Sequence, residues 1–255
     1  MLTRREVVVA GALLVLSIGG KASCCRAQSA RAPRSRGCHL ADADLDAIYP
    51  VGKATARFVS GDEPVIDKSG DADFDLALAQ TLAKISDRLG VVPGFAYYDD
   101  SDSMNAYASP QVRLSNADGT VLMGINLLRT LRAMHDAPDV AVAGVCSHEF
   151  GHILQFKHGL DVDAHQPTVK RSELQADYFA GYFAGLRKRE RASYPAAVVA
   201  LIQHDYGDTA FWNPAHHGTP EERGAAVVKG FEAAFRDNKA ISDAIQESTS
   251  YVSTL

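Results

Sequence analysis

Residues 146–152 read Cys-Ser-His-Glu-Phe-Gly-His and lie in an apolar stretch whose spacing predicts a helix. His148 and His152 are four residues apart, so a helix places both imidazoles on one face, one turn from each other. Two imidazole nitrogens in that arrangement can bind one metal ion at about 2 Å. Glu149 is the predicted general base, since a carboxylate beside the ion can take a proton from a water that the metal acidifies.

A second predicted helix carries Ser-Glu-Leu-Gln-Ala-Asp at residues 172–177. Catalytic zinc takes three protein ligands and keeps one position for water, and Glu173 is the predicted third ligand. Asp177 follows one helical turn later, where its carboxylate can accept the other ring N–H of a histidine ligand. The two helices together predict one zinc ion per chain, bound by His148, His152 and Glu173.

His158 is the alternative third ligand, because it follows His152 at the spacing of the last histidine in the HExxHxxGxxH pattern. That pattern requires a glycine where this chain has Gln155, and it requires a methionine turn after the motif. All four methionines precede the motif. The sequence therefore favours Glu173, and it predicts that His158 lies in the last helical turn before Gly159, where an imidazole suits the helix dipole.

The composition is that of a folded protein, with 255 residues of which 46% are hydrophobic and 22% are charged. The formal net charge is -5. No segment combines a Lys/Arg stripe with interleaved aromatic residues, so we expect no nucleic-acid partner.

The N-terminus predicts an exported protein. An arginine pair precedes an uncharged run at residues 7–20, and small residues lead to a cleavage site at Ala27, so residues 1–27 predict a signal peptide and a periplasmic location in a bacterium. Sec and twin-arginine export both fit this pattern, and lipid attachment at Cys24 is the alternative to cleavage after Ala27. No later segment is long and apolar enough to span a bilayer, so we expect no membrane span in the mature form.

The remaining sequence predicts a mobile linker at residues 28–40 and one mostly helical α+β domain at residues 41–255. The predicted strands are 95–98 and 105–109, and a predicted hairpin joins 111–114 to 120–125. The predicted helices are 72–89, 126–135, 139–157, 169–190, 195–204, 220–236 and 239–247. An irregular segment at residues 205–219 predicts a long loop of the functional kind. Cys38 and Cys146 could form one disulfide, although an apolar helical setting favours Cys146 as a small packed side chain.

Peptide hydrolysis also needs a surface that holds an extended substrate. The predicted edge strand contains Asn105, Ala106, Tyr107 and Ala108, which are the candidate substrate-binding residues. A purely structural strand is the alternative for the same residues.

Four residues on or after the Glu173 helix are candidates for stabilising an oxyanion: Tyr178, Tyr182, Tyr206 and His217. His217 is preferred as a catalytic residue, because it begins a loop that leads into a helix with proline and acidic residues at its start. Arg223, in that helix, is expected to pair with Asp177 or with another acid of the site.

These motifs together resemble those of the gluzincin peptidases of the HtpX, Oma and CAAX prenyl protease type. The matching segments keep that family's order and are residues 105–108 for the NAxA edge strand, 121–128 for the strand before the active-site helix, 148–152 for HExxH, 173–177 for ExxAD and 217–223 for HPxxxxR. The resemblance implies a zincin-like fold with a small sheet beside the active-site helix. It also implies a zinc endopeptidase in which Glu149 is the base, His148, His152 and Glu173 are the ligands, and Asp177 supports them.

The chain departs from that family in two respects. Gly218 replaces the proline of the family's His-Pro, and this segment with residues 173–177 also resembles a neighbouring group of bacterial neutral zinc metallopeptidases. HtpX and the prenyl proteases span the membrane several times, so this chain is more similar to the small periplasmic members. The expected reaction is hydrolysis of peptide bonds in misfolded or envelope proteins. The alternatives are a non-catalytic zinc-binding envelope chaperone or interaction protein, and a hydrolase of cell-wall amides.

Overall fold

The computed structural model describes residues 38–63 and 69–255. The predicted signal peptide and most of the predicted linker lie outside these ranges. In the described part, the chain forms an α+β fold in which helices predominate over one small sheet. The elements in chain order are α1 (Asp42–Ile48), α2 (Ala72–Leu89), β1 (Gly94–Tyr98), β2 (Ala106–Ser109), β3 (Thr120–Gly124), α3 (Ile125–Arg132), α4 (Pro138–His158), α5 (Lys170–Glu190), α6 (Ala197–Asp205), α7 (Pro220–Phe235) and α8 (Ile241–Ser253).

The helices expected from apolar periodicity are present, and local capping accounts for several of their ends. The Asp71 side chain accepts a hydrogen bond from the Phe74 amide at the start of α2, and Gly90 ends that helix in a left-handed conformation. Thr219 and Glu222 form a capping box at the start of α7. The helices α2 and α7 therefore begin at residues 72 and 220, as the sequence predicts.

Apolar periodicity does not predict two helical segments, namely α1 and the C-terminal part of α8. The helix α1 has only seven residues, which is too short for a repeating pattern to show. The helix α8 continues to Ser253, past the predicted end at residue 247. Its second half buries Ser248, whose hydroxyl accepts a hydrogen bond from the Gln175 amide of α5. Val252 on the same face is also fully buried, so the polar Ser248 interrupts the apolar stripe rather than ending the helix.

The sheet has three strands in the order β1-β3-β2. The central strand β3 pairs in parallel with β1 and antiparallel with β2. The predicted strand at residues 111–114 is wrong, because these residues form an irregular connection. Pro110 has no N–H with which to extend the ladder, and the Gln111 carbonyl accepts a hydrogen bond from the Thr120 hydroxyl instead. The hairpin therefore joins β2 to β3.

Residues 38–40 add a short parallel segment to the outer edge of β2. The Leu40 N–H donates to the Ala108 carbonyl, and the Ala108 N–H donates to the Cys38 carbonyl, both at 2.9 Å. The Leu40 side chain is fully buried against the sheet. The last three residues of the predicted linker therefore belong to the fold, which begins before the expected residue 41. Three residues in an Arg/Ser/Pro-rich stretch are too few to reveal a strand.

The helices α4 and α5 pack side by side and run antiparallel. Their hydrogen bonds join His148 to Asp177 and Gln155 to Ser172, so the residue number rises along one helix as it falls along the other. Residues 140–155 of α4 are buried without interruption. The motif histidines are therefore enclosed between α5 and the sheet layer.

The helices α5 and α7 approach each other closely through glycines. A Cβ added to Gly230 would lie 1.8 Å from the Tyr178 carbonyl oxygen, and one added to Gly181 would lie 1.9 Å from the Val227 carbonyl oxygen. Only glycine allows the two backbones to meet at this distance. This packing places the start of α7 beside the part of α5 that carries Asp177.

One hydrophobic core extends from α2 and the sheet through α4, α5 and α6 to α7. Cys146 is fully buried in this core and is a free thiol, as is Cys38. The disulfide that the sequence permits is thus not formed, because Cys38 lies with a different set of residues. Among the helices of the described ranges, none is long and apolar enough to cross a membrane.

Candidate metal centre

The three predicted ligands come together in the interior, on the facing sides of α4 and α5. The Nε2 atoms of His148 and His152 lie 3.2 Å apart. One Glu173 carboxylate oxygen lies 3.3 Å from His148 Nε2, and the other lies 3.7 Å from His152 Nε2. All three residues are at most 2% exposed. The four atoms converge on one point that solvent barely reaches.

Hydrogen bonds to Nδ1 of each histidine orient the ring so that Nε2 faces that point. His148 Nδ1 lies 2.8 Å from an Asp177 carboxylate oxygen, and His152 Nδ1 lies 2.8 Å from the Gln155 side-chain oxygen. Gln155 uses its amide nitrogen to donate to the Ser172 carbonyl, so its oxygen is left to accept. In its neutral form each histidine therefore donates from Nδ1, and its Nε2 presents a lone pair to a metal ion.

Asp177 is itself held by Arg223 of α7. The guanidinium donates to both carboxylate oxygens, at 2.7 and 2.9 Å, and it also donates to the Gln203 side-chain oxygen at 3.0 Å. Burial raises the pKa of Asp177, but Arg223 and His148 outweigh burial and lower it below its ordinary value. The pairing expected for Arg223 is confirmed, and it keeps Asp177 ionised behind the histidine.

The donor set fits a cation. One oxygen each of Glu149 and Glu173 is buried without a hydrogen-bond partner. Burial lowers the pKa of His148, but the carboxylates of Asp177 and Glu173 more than compensate and raise it to about 10. The site therefore favours added positive charge. A single proton would satisfy one of the converging atoms, whereas a metal ion would satisfy all of them.

Cys38 is the site residue that the sequence analysis missed. Its sulfur belongs to a cluster with His148, His152 and Glu173 in which one ligand atom from each lies within 4.8 Å of the others, so the cluster could hold a metal ion. The backbone N–H of Cys38 also donates to Glu173 Oε1 at 2.9 Å. The only hint in the sequence is that Cys38 and His39 are adjacent, since both residue types bind metals. Cys38 lies 135 residues from Glu173 along the chain, so their spacing does not reveal a shared site.

Glu149 borders a cavity of about 170 Å³ beside the cluster. Burial raises the pKa of Glu149 and the two histidines lower it, with a net result of about 7. The cavity is lined by Cys38, Met104, Asn105, Ala106, Leu127, Val145, His148, Glu149, Gln203, Tyr206, His217 and Arg223. A carboxylate with this pKa can both accept and return a proton near neutral pH.

Two of the four oxyanion candidates border this cavity, namely Tyr206 and His217. The hydroxyl of Tyr178 instead donates to Glu247, and that of Tyr182 donates to the Lys239 carbonyl. These two tyrosines therefore tie α5 to the C-terminal region and lie outside the cavity lining.

The loop between α6 and α7 is fixed at its two ends. Asp208 accepts hydrogen bonds from the His217 N–H at 3.0 Å, and its other oxygen lies 2.6 Å from His216 Nδ1. Tyr206 and His217 thus stand at the cavity, while the middle of the loop carries Trp212 with 97% of its surface exposed. The loop borders the site with its ends and leaves its tip in solvent.

Only one end of the predicted substrate strand reaches the cavity. Asn105 and Ala106 line the cavity. Tyr107 packs against Tyr98 on the sheet, with ring centroids 5.7 Å apart. Ala108 already bonds through its backbone to residues 38–40. The strand therefore has one end at the cavity and an outer edge that the chain's own N-terminal segment covers.

The alternative ligand His158 lies away from the cluster. It is exposed in the last turn of α4, and Gly159 ends the helix in a left-handed conformation. This is the position that the sequence predicts for it.

No family model matches the chain, and neither a curated protein nor a solved structure matches it.

Proposed function

We propose that this protein is a zinc-dependent endopeptidase with a zincin-like fold, which hydrolyses peptide bonds of misfolded or envelope proteins. The observation that carries the proposal is the position of Glu149. Its carboxylate is 1% exposed and borders a cavity beside the His148, His152 and Glu173 cluster. A site with only a structural role has no use for a general base there.

Each residue around the cluster has a separate role in the proposed amide hydrolysis. A bound zinc ion supplies Lewis acidity, which acidifies a water and polarises the scissile carbonyl. Glu149 takes a proton from the attacking water and returns it to the leaving nitrogen. Asp177 and Gln155 hold the ligand histidines in orientation. His217, at the cavity, stabilises the negative charge that develops on the carbonyl oxygen.

The proposed substrate is an extended polypeptide. Asn105 and Ala106 lead from the cavity into β2, whose outer edge pairs through its backbone with residues 38–40 and can pair in the same way with an extended substrate in their place. Unfolded polypeptides present an extended backbone, whereas folded domains do not. The predicted signal peptide places such substrates among exported and envelope proteins.

A second candidate is a metal-binding envelope protein without catalytic activity. The observation that favours it is the fourth donor, since Cys38 completes a set of four protein ligands, which is typical of structural zinc sites. The buried base and the cavity beside it favour the peptidase. The two candidates differ in whether unfolded protein is cleaved.

The test measures zinc per chain and the hydrolysis of unfolded casein by two proteins. These are the wild type and Cys38→Ala, which lacks the fourth donor. We expect one zinc ion per chain and cleavage in the Cys38→Ala form. Glu149→Gln introduced into that form should keep zinc and lose about 100-fold or more of kcat.

Glu221→Gln is the matched control, because Glu221 is an exposed acid on α7. It should cleave as fast as its parent. Full zinc occupancy with no cleavage of any unfolded protein, in either background, would refute the peptidase and support the second candidate.

A further inference from the structure

We propose that Cys38 is a fourth metal ligand and that residues 38–40 occupy the substrate's place on β2, so that the chain folds into a latent form of the enzyme. This inference rests on the proposed function and names its regulation. Activity then requires that residues 38–40 leave the site.

The first support is the position of the Cys38 sulfur. It lies among the ligand atoms of His148, His152 and Glu173, within 4.8 Å of each. Cys38 and Glu149 also line the same cavity. A catalytic zinc site keeps its fourth position open for water, next to the general base. The sulfur therefore occupies a ligand position at the cavity that Glu149 borders, where the attacking water would have to be.

The second support is the backbone of the same segment. Residues 38–40 pair with Ala108 through two hydrogen bonds of 2.9 Å and cover the outer edge of β2. A substrate that added a strand to this edge would need the same Ala108 N–H and carbonyl groups. The Cys38 N–H also donates to Glu173, which ties the segment to the ligand helix. One segment thus blocks both the metal position and the peptide-binding edge.

Side chains on either side of the pairing hold the segment in place. The His39 ring stacks on Phe156 with centroids 4.3 Å apart, and it lies parallel to the His152 ring at 6.2 Å. Leu40 is fully buried. The pairing of this segment with β2 is limited, since it comprises three residues and two strand hydrogen bonds. Its small extent makes displacement by a partner or by cleavage of the segment feasible.

The exchange of ligands balances without a redox step. The thiol loses its proton to solvent when sulfur binds the metal, because the thiolate is the ligand. When the segment leaves, the sulfur takes a proton back and solvent gains access to the fourth position. The S–H bond of Cys38 is the bond that breaks and re-forms, and no residue changes its oxidation state.

The decisive measurement is the absorption spectrum of the cobalt-substituted protein, full chain, with cobalt content measured in parallel. We expect a sulfur-to-cobalt charge-transfer band in the wild-type protein. It should persist in Cys146→Ala, which removes the buried core thiol, and disappear in Cys38→Ala. A cobalt-loaded wild-type protein without this band, or a band that persists in Cys38→Ala, would overturn the fourth ligand.

Hydrolysis of unfolded casein by the zinc forms tests latency separately. Cys38→Ala should cleave at least about tenfold faster than wild type, because removing the sulfur opens the fourth position. Leu40→Ala, which leaves the sulfur in place but weakens the strand, should give a smaller increase. Circular dichroism verifies that each variant is folded.

The outcomes separate the two proposals. Equal cleavage by wild type and Cys38→Ala, lost in Glu149→Gln, would refute latency and leave the peptidase standing. A charge-transfer band that depends on Cys38, combined with no cleavage in any variant, would refute the peptidase and retain the fourth ligand.

Discussion

Arg223 binds both carboxylate oxygens of Asp177 in the interior, and the same carboxylate accepts a hydrogen bond from His148. Both residues of the ion pair are nearly or fully buried, at 2% and 0% exposure. The start of α7 is thereby connected through α5 to a metal-ligand histidine on α4. The orientation of that imidazole depends on a helix that contributes no ligand of its own.

Asp177→Asn should therefore weaken metal binding and destabilise the fold together. The ligand histidine loses an ionised acceptor, so we expect about 10- to 100-fold lower zinc affinity. Arg223 keeps its buried charge without a counter-charge, which should lower the free energy of unfolding of the metal-free protein by about 3–5 kcal/mol. Competition with a chelator and urea unfolding measure the two effects.

The matched control for this ion pair is Glu190→Gln, at the end of the same helix. Glu190 pairs at the surface with Arg88. Its replacement should change the free energy of unfolding by at most about 1 kcal/mol and leave zinc affinity unchanged. Similar losses in Asp177→Asn and Glu190→Gln would contradict the special role of the buried pair.

Two single variants decide between the candidate third ligands. Glu173→Ala removes a carboxylate that faces both histidines at 3.3 and 3.7 Å, so we expect loss of stoichiometric zinc after dialysis. His158→Ala changes an exposed residue at the end of α4 and should retain full zinc. Metal analysis of the folded variants is the measurement. Zinc retained by Glu173→Ala but lost by His158→Ala would reverse the assignment.

The sequence predicts those parts of the site that depend on local periodicity. His148 and His152 share a helical face whatever surrounds them, and the stretch at residues 172–177 shows the same one-turn spacing. Cys38 joins the site through backbone pairing with Ala108, and strand pairing between distant residues leaves no local pattern in a sequence. The misplaced strand at residues 111–114 has a related cause, because partner choice in a sheet is a tertiary property.

Zinc affinity should rise with pH, because the metal displaces protons. The carboxylates around His148 raise its pKa to about 10 in the metal-free protein, so its ring is protonated below that pH and zinc must release a proton there. Burial, with Glu173 and Glu149, also raises the pKa of the Cys38 thiol well above its ordinary value, so sulfur binding releases a second proton. The zinc dissociation constant should fall about 100-fold per pH unit between about pH 7 and pH 9.

Cys38→Ala provides the control for that proton count, since it removes the thiol and leaves His148. Its zinc dissociation constant should fall only about tenfold per pH unit over the same range. Chelator competition in a series of buffers gives both slopes. A wild-type dissociation constant that does not change with pH would show that His148 and Cys38 lose no protons on binding zinc.

The close approach of α5 and α7 predicts that Gly230 tolerates no side chain. A Cβ there would lie 1.8 Å from the Tyr178 carbonyl oxygen, and backbone atoms can yield only if the helices separate. We expect Gly230→Ala to lower the free energy of unfolding by about 1–3 kcal/mol or more. Because Arg223 lies in the same helix, separation should also loosen its pairing with Asp177 and weaken zinc binding.

Gly224→Ala tests whether this loss comes from the contact or from the loss of a glycine as such. Gly224 lies in the same helix α7, but a Cβ there would meet its nearest neighbour, the His204 side chain, at an ordinary 3.8 Å. Alanine favours a helix over glycine by about 1 kcal/mol, so Gly224→Ala should be neutral or stabilising. Urea unfolding of the two variants beside the wild type gives the comparison. If Gly230→Ala were as stable as Gly224→Ala, the helices would accommodate the added methyl group, and the close approach at Gly230 would not be required for stability.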